Sequence, residues 1–146
     1  MAEHRFHTPE PVELEVKIPA GDIEVETVDG DESVVIVEGS ERLLEQMQVE
    51  LQGRKLVVDY QGKRGFGISI SIGDFGFGNG KLRVRARVPH GSGAELTTAA
   101  ADMKLVGRYG ALETKSASGD LTVLGEIERD AVLKTVSGDF RVIRAH

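Results

Sequence analysis

The chain has 146 residues, 40% of them hydrophobic and 29% charged, which is the length of one domain and the composition of a folded protein rather than a disordered one. A net charge of −6 argues against general binding to nucleic acid or to an anionic membrane, since both need excess positive charge. The absence of Cys excludes disulfides, zinc–thiolate sites and a cysteine nucleophile, and with no Trp and 5% aromatics the core must come from Val, Leu, Ile and Ala.

The first residues, Met1 to Pro11, are polar and include His4, Arg5 and His7. They lack the apolar stretch of a secretory signal, and no run of 18 apolar residues follows anywhere. The chain as written therefore reads as cytoplasmic with no transmembrane segment, with envelope association as the alternative, and residues 1–10 read as a polar tail. From Leu14 to Ile18 apolar and charged residues alternate, stopping at Pro19, and Gly21-Asp22 then leads into Ile23-Glu24-Val25. Further strands are expected over Asp22–Thr27, Ser33–Glu38, Met47–Leu51 and Lys55–Tyr60, with turns at Asp29-Gly30 and Gln52-Gly53. One short helix is expected near 40–47, capped by Ser40 and with Glu41 in its first turn.

Residues 62–80 form a Gly-rich insertion. Phe66, Ile68, Ile70 and Ile72 share one face at a spacing of two, and Phe75 and Phe77 follow. These six residues are the interaction candidates, because an exposed apolar patch suits self-association or a partner. The alternative is that the segment folds back as a cover on the strands. It lacks the Gly-Lys-Ser/Thr ending of a phosphate loop. Val84 to Val88 then alternates up to Pro89-His90-Gly91 and resembles Leu14 to Gly21, which suggests that the N-terminal half is built from related coils or a meander.

The last third repeats. Ala94–Asp102, Leu112–Asp120 and Ala131–Asp139 align without gaps on their Asp residues, at a period of 18 to 19, and each runs on into a short strand. A fourth copy is expected at Asp22. The inward columns read Ala94/Leu112/Ala131, Leu96/Thr114/Leu133, Thr98/Ser116/Thr135, then Met103/Leu121/Phe140 and Leu105/Val123/Val142. The other face is mostly charged, except for Val132 and Val136, which suggests that something covers those two. A repeat of this length cannot bury its apolar face alone, so neighbours must stack. The expected fold is all-β: a single-stranded β-helix over 1–146, with regular coils in 94–146. The chain stops at Arg144-Ala145-His146 directly after a strand, which leads us to expect either an end coil capped by a partner or a longer run of coils.

No constellation demands a particular chemistry. Asp102, Asp120 and Asp139 would stack along one edge and could hold a cation, but Asp also favours turns because its side chain bonds local backbone. Outward charges are of both signs, Tyr60 and Tyr109 stand alone, and there is no nucleophile elbow. His4, His7, His90 and His146 read as tail, turn or terminal residues. No catalytic, metal or cofactor-binding residue is assigned.

The alternating strands, "PAGDIEV", the glycine-rich middle, "VPHGSGAEL" and the repeated Ser-Gly-Asp of 118–120 and 137–139 together resemble a bacterial adhesin-like domain family of unknown function. One copy departs from the pattern, reading Ala100-Ala101-Asp102. The resemblance implies a right-handed β-helix and a non-enzymatic structural or interaction module, associating with itself through coil ends or the Gly-rich insertion. The alternatives are a ligand- or glycan-binding sensory module at the envelope and a cytoskeletal polymer resembling bactofilins. The expected partners are thus a second copy, a protein or a glycan.

Overall fold

The computed structural model describes residues 2–60 and 82–143. The elements in chain order are β1 (Ala2–His7), β2 (Glu13–Val28), β3 (Glu32–Glu38), α1 (Glu41–Leu44), β4 (Met47–Gln52), β5 (Lys55–Tyr60), β6 (Arg83–Pro89), β7 (Ser92–Ser118), β8 (Leu121–Ile127), β9 (Ala131–Ser137) and β10 (Phe140–Ile143). Ser40 caps α1 as expected, its hydroxyl accepting from the Leu43 N–H at 3.3 Å.

The strands form one mixed, open sheet in the order β1-β3-β6-β2-β7-β8-β10, with β5 and then β4 branching from β2, and β9 from β7. This corrects the expectation of a uniform β-helix. The sheet is not closed, and the pairs β1–β3, β3–β6 and β4–β5 are antiparallel. The remaining pairs are parallel. β2 carries β5 and β6 on one side and β7 on the other, with Leu14 opposite both Leu56 and Ala94, and Ile23 opposite both Val84 and Met103. β7 then carries β8 and β9, and β8 carries β10.

The register follows from the inward columns. Met103 faces Leu121, which faces Phe140, and Leu105 faces Val123, which faces Val142. Asp22 faces Asp102, so the fourth copy of the repeat stacks on the first of the other three. A slip of one residue would turn every one of these side chains to the other face, so burial fixes the register. Leu14, Val16, Ile23, Val25, Leu96 and Leu105 are each at most 1% exposed and belong to a single apolar cluster. Each such burial contributes about 1.5–3 kcal/mol.

The segment Val84–Pro89 resembles Leu14–Gly21 in sequence but does not stack on it. It lies on the second half of β2, with Ile23 opposite Val84 and Val28 opposite Pro89. Alternation identifies a face but not a partner, and both segments have the same alternation. The opening residues are also not a solvated tail, because β1 pairs antiparallel with β3 from Ala2↔Val37 to His7↔Glu32 and half-buries His4 and Phe6.

At each bend the chain must pass close under its neighbour. Gly119, at φ +115°, lies so near the Ala101 carbonyl that an added Cβ would overlap that oxygen and stand 2.8 Å from its carbon. Only a residue without Cβ fits both the dihedral and the gap.

Candidate interaction surfaces

The Asp column is engaged by backbone. The Asp120 N–H donates to Asp102 Oδ1 at 2.9 Å, and the Asp139 N–H donates to Asp120 Oδ1 at 3.2 Å. In return the Met103 and Leu121 N–H groups donate to the carbonyls of Asp120 and Asp139 at 2.8 and 2.9 Å. The Asp102 and Asp120 carboxylates are thus each engaged by the bend of the next copy, which is the turn role of Asp extended across strands. Among the described residues no group of His, Asp and Glu is arranged to hold a metal ion.

A second cluster was not visible in the sequence. Thr27 Oγ1 lies 2.7 Å from His90 Nδ1, and His90 Nε2 lies 3.6 Å from Asp29 Oδ1. Hydroxyl, imidazole and carboxylate in that order suggest nucleophile, base and orienting acid. The surroundings argue otherwise. Thr27 is 5% exposed, and its hydroxyl also accepts the Arg108 N–H at 2.7 Å. A Cβ on Gly107 would overlap the same hydroxyl. A nucleophile must meet its substrate, and this one is roofed by backbone. The cluster is a clamp tying the end of β2 to β7. Thr27 and His90 are 63 residues apart, and only the β2–β6 pairing brings them together, so no local signal could have found them. Beside it lies an open groove of about 400 Å³, lined by Asp29, His90, Val106, Arg108, Leu124 and Glu126 among others.

The charged faces are internally matched. The Glu15 carboxylate lies 2.7 Å from Lys55 Nζ and 2.9 Å from Lys17 Nζ, and these contacts, Lys55 first, hold it below the usual carboxylate range. Arg83 and Arg85 pair with Asp22 and Glu24 across the β2–β6 ladder at 3.9 and 3.5 Å. Tyr109 is fully buried, its hydroxyl within 2.9 Å of the Val25 carbonyl and 3.0 Å of the Val106 carbonyl, and burial raises its phenol well above the ordinary value.

The apolar surface is elsewhere. Among the described residues the exposed large hydrophobic side chains are Val132, Val136, Phe140, Val142 and Ile143, all on β9 and β10. Val136 is 89% exposed, so nothing described covers it. Phe140 and Val142 occupy columns that are buried one strand earlier, at Leu121 and Val123, and are uncovered because β10 is the last strand of its ladder. The opposite edges differ. β1 presents Glu3, Arg5 and His7, and β4 presents Gln48 and Gln52. The interaction candidates Phe66, Ile68, Ile70, Ile72, Phe75 and Phe77 lie outside the described residues.

Residues 15–142 match a protein-family model described as "Putative auto-transporter adhesin, head GIN domain". No curated protein matches the chain. A crystal structure of a "putative cell adhesion protein" from Clostridium sporogenes superposes with a TM-score of 0.55 at 10% identity, covering 99% of each chain, and so has the same fold. A "putative adhesin" from Parabacteroides distasonis gives 0.46 at 15% identity, covering 97% of this chain and 69% of that one.

Proposed function

This chain belongs to the auto-transporter adhesin head GIN domain family, and from that premise we propose that it is a non-enzymatic interaction module working at the cell envelope. The observation that carries the proposal is the gathering, among the described residues, of exposed apolar side chains on β9 and β10. Soluble domains keep strand edges short, charged or covered, and an apolar one is a surface for pairing. We read Phe66 to Phe77 as a second part of that surface, on the strength of their alternation. We also read 1–146 as one domain in which the parallel strands β2, β7, β8, β9 and β10 are turns of a short β-helix. The single apolar cluster and the 18- to 19-residue offsets support that reading.

The burial of Thr27 supports the absence of catalysis at the Thr27–His90–Asp29 cluster. A second reading, glycan or small-ligand binding, is favoured by the groove beside Asp29, His90, Arg108 and Glu126. The test is to measure self-association by light scattering and ligand binding on a glycan array, with the whole chain and with a variant lacking residues 65–80. Binding in either assay supports an interaction module, and its weakening in the deletion variant assigns the segment a part. A chain that stays monomeric and leaves the array blank would sink the reading.

A further inference from the structure

Resting on the glycan reading of the groove beside His90, we infer that its occupant is a linear, uncharged glycan lying across the strands, with one sugar ring to each rung of the ladder.

The groove takes its direction from the register. Three pairs line it, Val106–Leu124, Gly107–Gly125 and Arg108–Glu126, and each pair joins β7 to β8. Asp29 and His90 line it at the end of β2, where the His90 N–H donates to the Val28 carbonyl at 3.1 Å. The groove therefore crosses the end of β2, then β7, then β8, at steps of roughly 4.8 Å. Gly107 and Gly125 leave its middle without side chains, and at φ +122° and +145° neither position favours one. Val106 and Leu124 stand on one side of these glycines, and Arg108 and Glu126 on the other.

The polar side of the groove is free to bind. Arg108 and Glu126 are register neighbours, yet among the described residues neither side chain has a partner. The Arg108 backbone, by contrast, is fixed on both sides: its N–H donates to Thr27 Oγ1 at 2.7 Å, and its carbonyl accepts the Gly91 N–H at 2.9 Å. Unpaired groups on a fixed backbone lose little freedom when a ligand arrives. The ligand's chemistry follows from theirs. Arg108 only donates and the Glu126 and Asp29 carboxylates only accept, so a row of hydroxyls, which do both, can meet all three. Val106 and Leu124 offer hydrocarbon to the C–H face of a pyranose ring. One Arg against two carboxylates disfavours an acidic sugar, because like charges repel. Spacing separates a glycan from a peptide. An extended peptide returns to the same face roughly every 6.6 Å, out of step with the rungs. A ring in a linear glycan advances by close to one rung.

The test is a nuclear magnetic resonance titration of the intact, nitrogen-labelled chain with glucose, cellobiose and cellotriose, and with a β-1,4-linked mannuronic acid trimer as the acidic control. The amide signals of Gly107 and Gly125 are expected to move and saturate, and those of Glu113 and Lys115, outside the groove, to stay. Affinity should rise with each added ring, and the acidic trimer should bind more weakly than cellotriose. Arg108→Gln keeps both backbone bonds of that residue, so it should fold normally and weaken cellotriose about tenfold. Glu126→Gln should narrow the gap between cellotriose and the acidic trimer. Saturable binding that moves other amides, or that ignores Arg108→Gln, would overturn the inference while leaving the glycan reading in place. A preference for the acidic trimer would do the same. No response to any of these sugars would also overturn it, and the glycan array then decides whether the reading it rests on falls too.

Discussion

Replacing Gly119 with Ala should destabilise the protein more than the same replacement at Gly30, and the difference isolates the close approach of neighbouring strands. Both glycines have positive φ, +115° and +140°. Forcing Ala into such dihedrals costs on the order of 1–3 kcal/mol. At Gly30 nothing lies within 4 Å of the added Cβ, so that is the whole effect. At Gly119 the Cβ overlaps the Ala101 oxygen and meets the Ala101 carbon at 2.8 Å and nitrogen at 3.3 Å. These are backbone atoms, so no rotamer change relieves the contact, and the two bends must separate at a further cost of about 1–3 kcal/mol. That separation also stretches the Asp120 N–H bond to Asp102. Urea unfolding followed by far-ultraviolet circular dichroism measures both variants. With a slope of about 1–3 kcal/mol per molar, the Gly119→Ala midpoint should fall roughly 1 M below that of Gly30→Ala. Equal midpoints would refute the reasoning, because they would mean that the bends have room for a methyl group.

Thr114 is fully buried and among the described residues its hydroxyl has no partner; Thr114→Val keeps the shape, removes the orphaned group and should raise stability by about 1 kcal/mol, and a lower urea midpoint would count against this. Glu15, with its carboxyl depressed by Lys55 and Lys17, stabilises the fold above its unfolded value of about 4.5, and that contribution is lost as pH falls through the lower folded value. Glu15→Gln should therefore be less stable than the parent at neutral pH and show a shallower loss in acid. Parallel stability–pH curves would remove the ion pairs from the explanation.

The parts of the fold legible in the sequence were those set by repetition and local chemistry. Asp102, Asp120 and Asp139 announced the register because the N–H of one bend is met by the Asp carboxylate of the bend before it. Ser40 announced α1 because a cap is a local device. Illegible were the features that depend on which strand meets which. Nothing in Ala2–His7 distinguishes a tail from an edge strand, since its half-buried positions are Ala2, His4 and Phe6. Antiparallel β3 reads the same as a parallel strand would. At the surface, Val132 and Val136 were correctly set apart as apolar residues on a charged face, but the expected cover is not seen among the described residues. Phe140 and Val142 were read as interior because their column is interior, and only the position of β10 at the end of its ladder turns them outward.

The placement of β2 between two sets of partners has a consequence for the order in which the molecule assembles. Its contacts with β7 close a loop of 80 residues, whereas each later bend joins its neighbour over 18 or 19. Closing the long loop comes at an entropic cost that the shorter-range pairings of β2 with β5 and β6 offset only in part, so it belongs to the slow step. Once it is made, β8, β9 and β10 can zip on in sequence, each on a template laid down moments before. Unwinding should run in reverse: amide exchange should be fastest in β10, slower in β8, and slowest in β2.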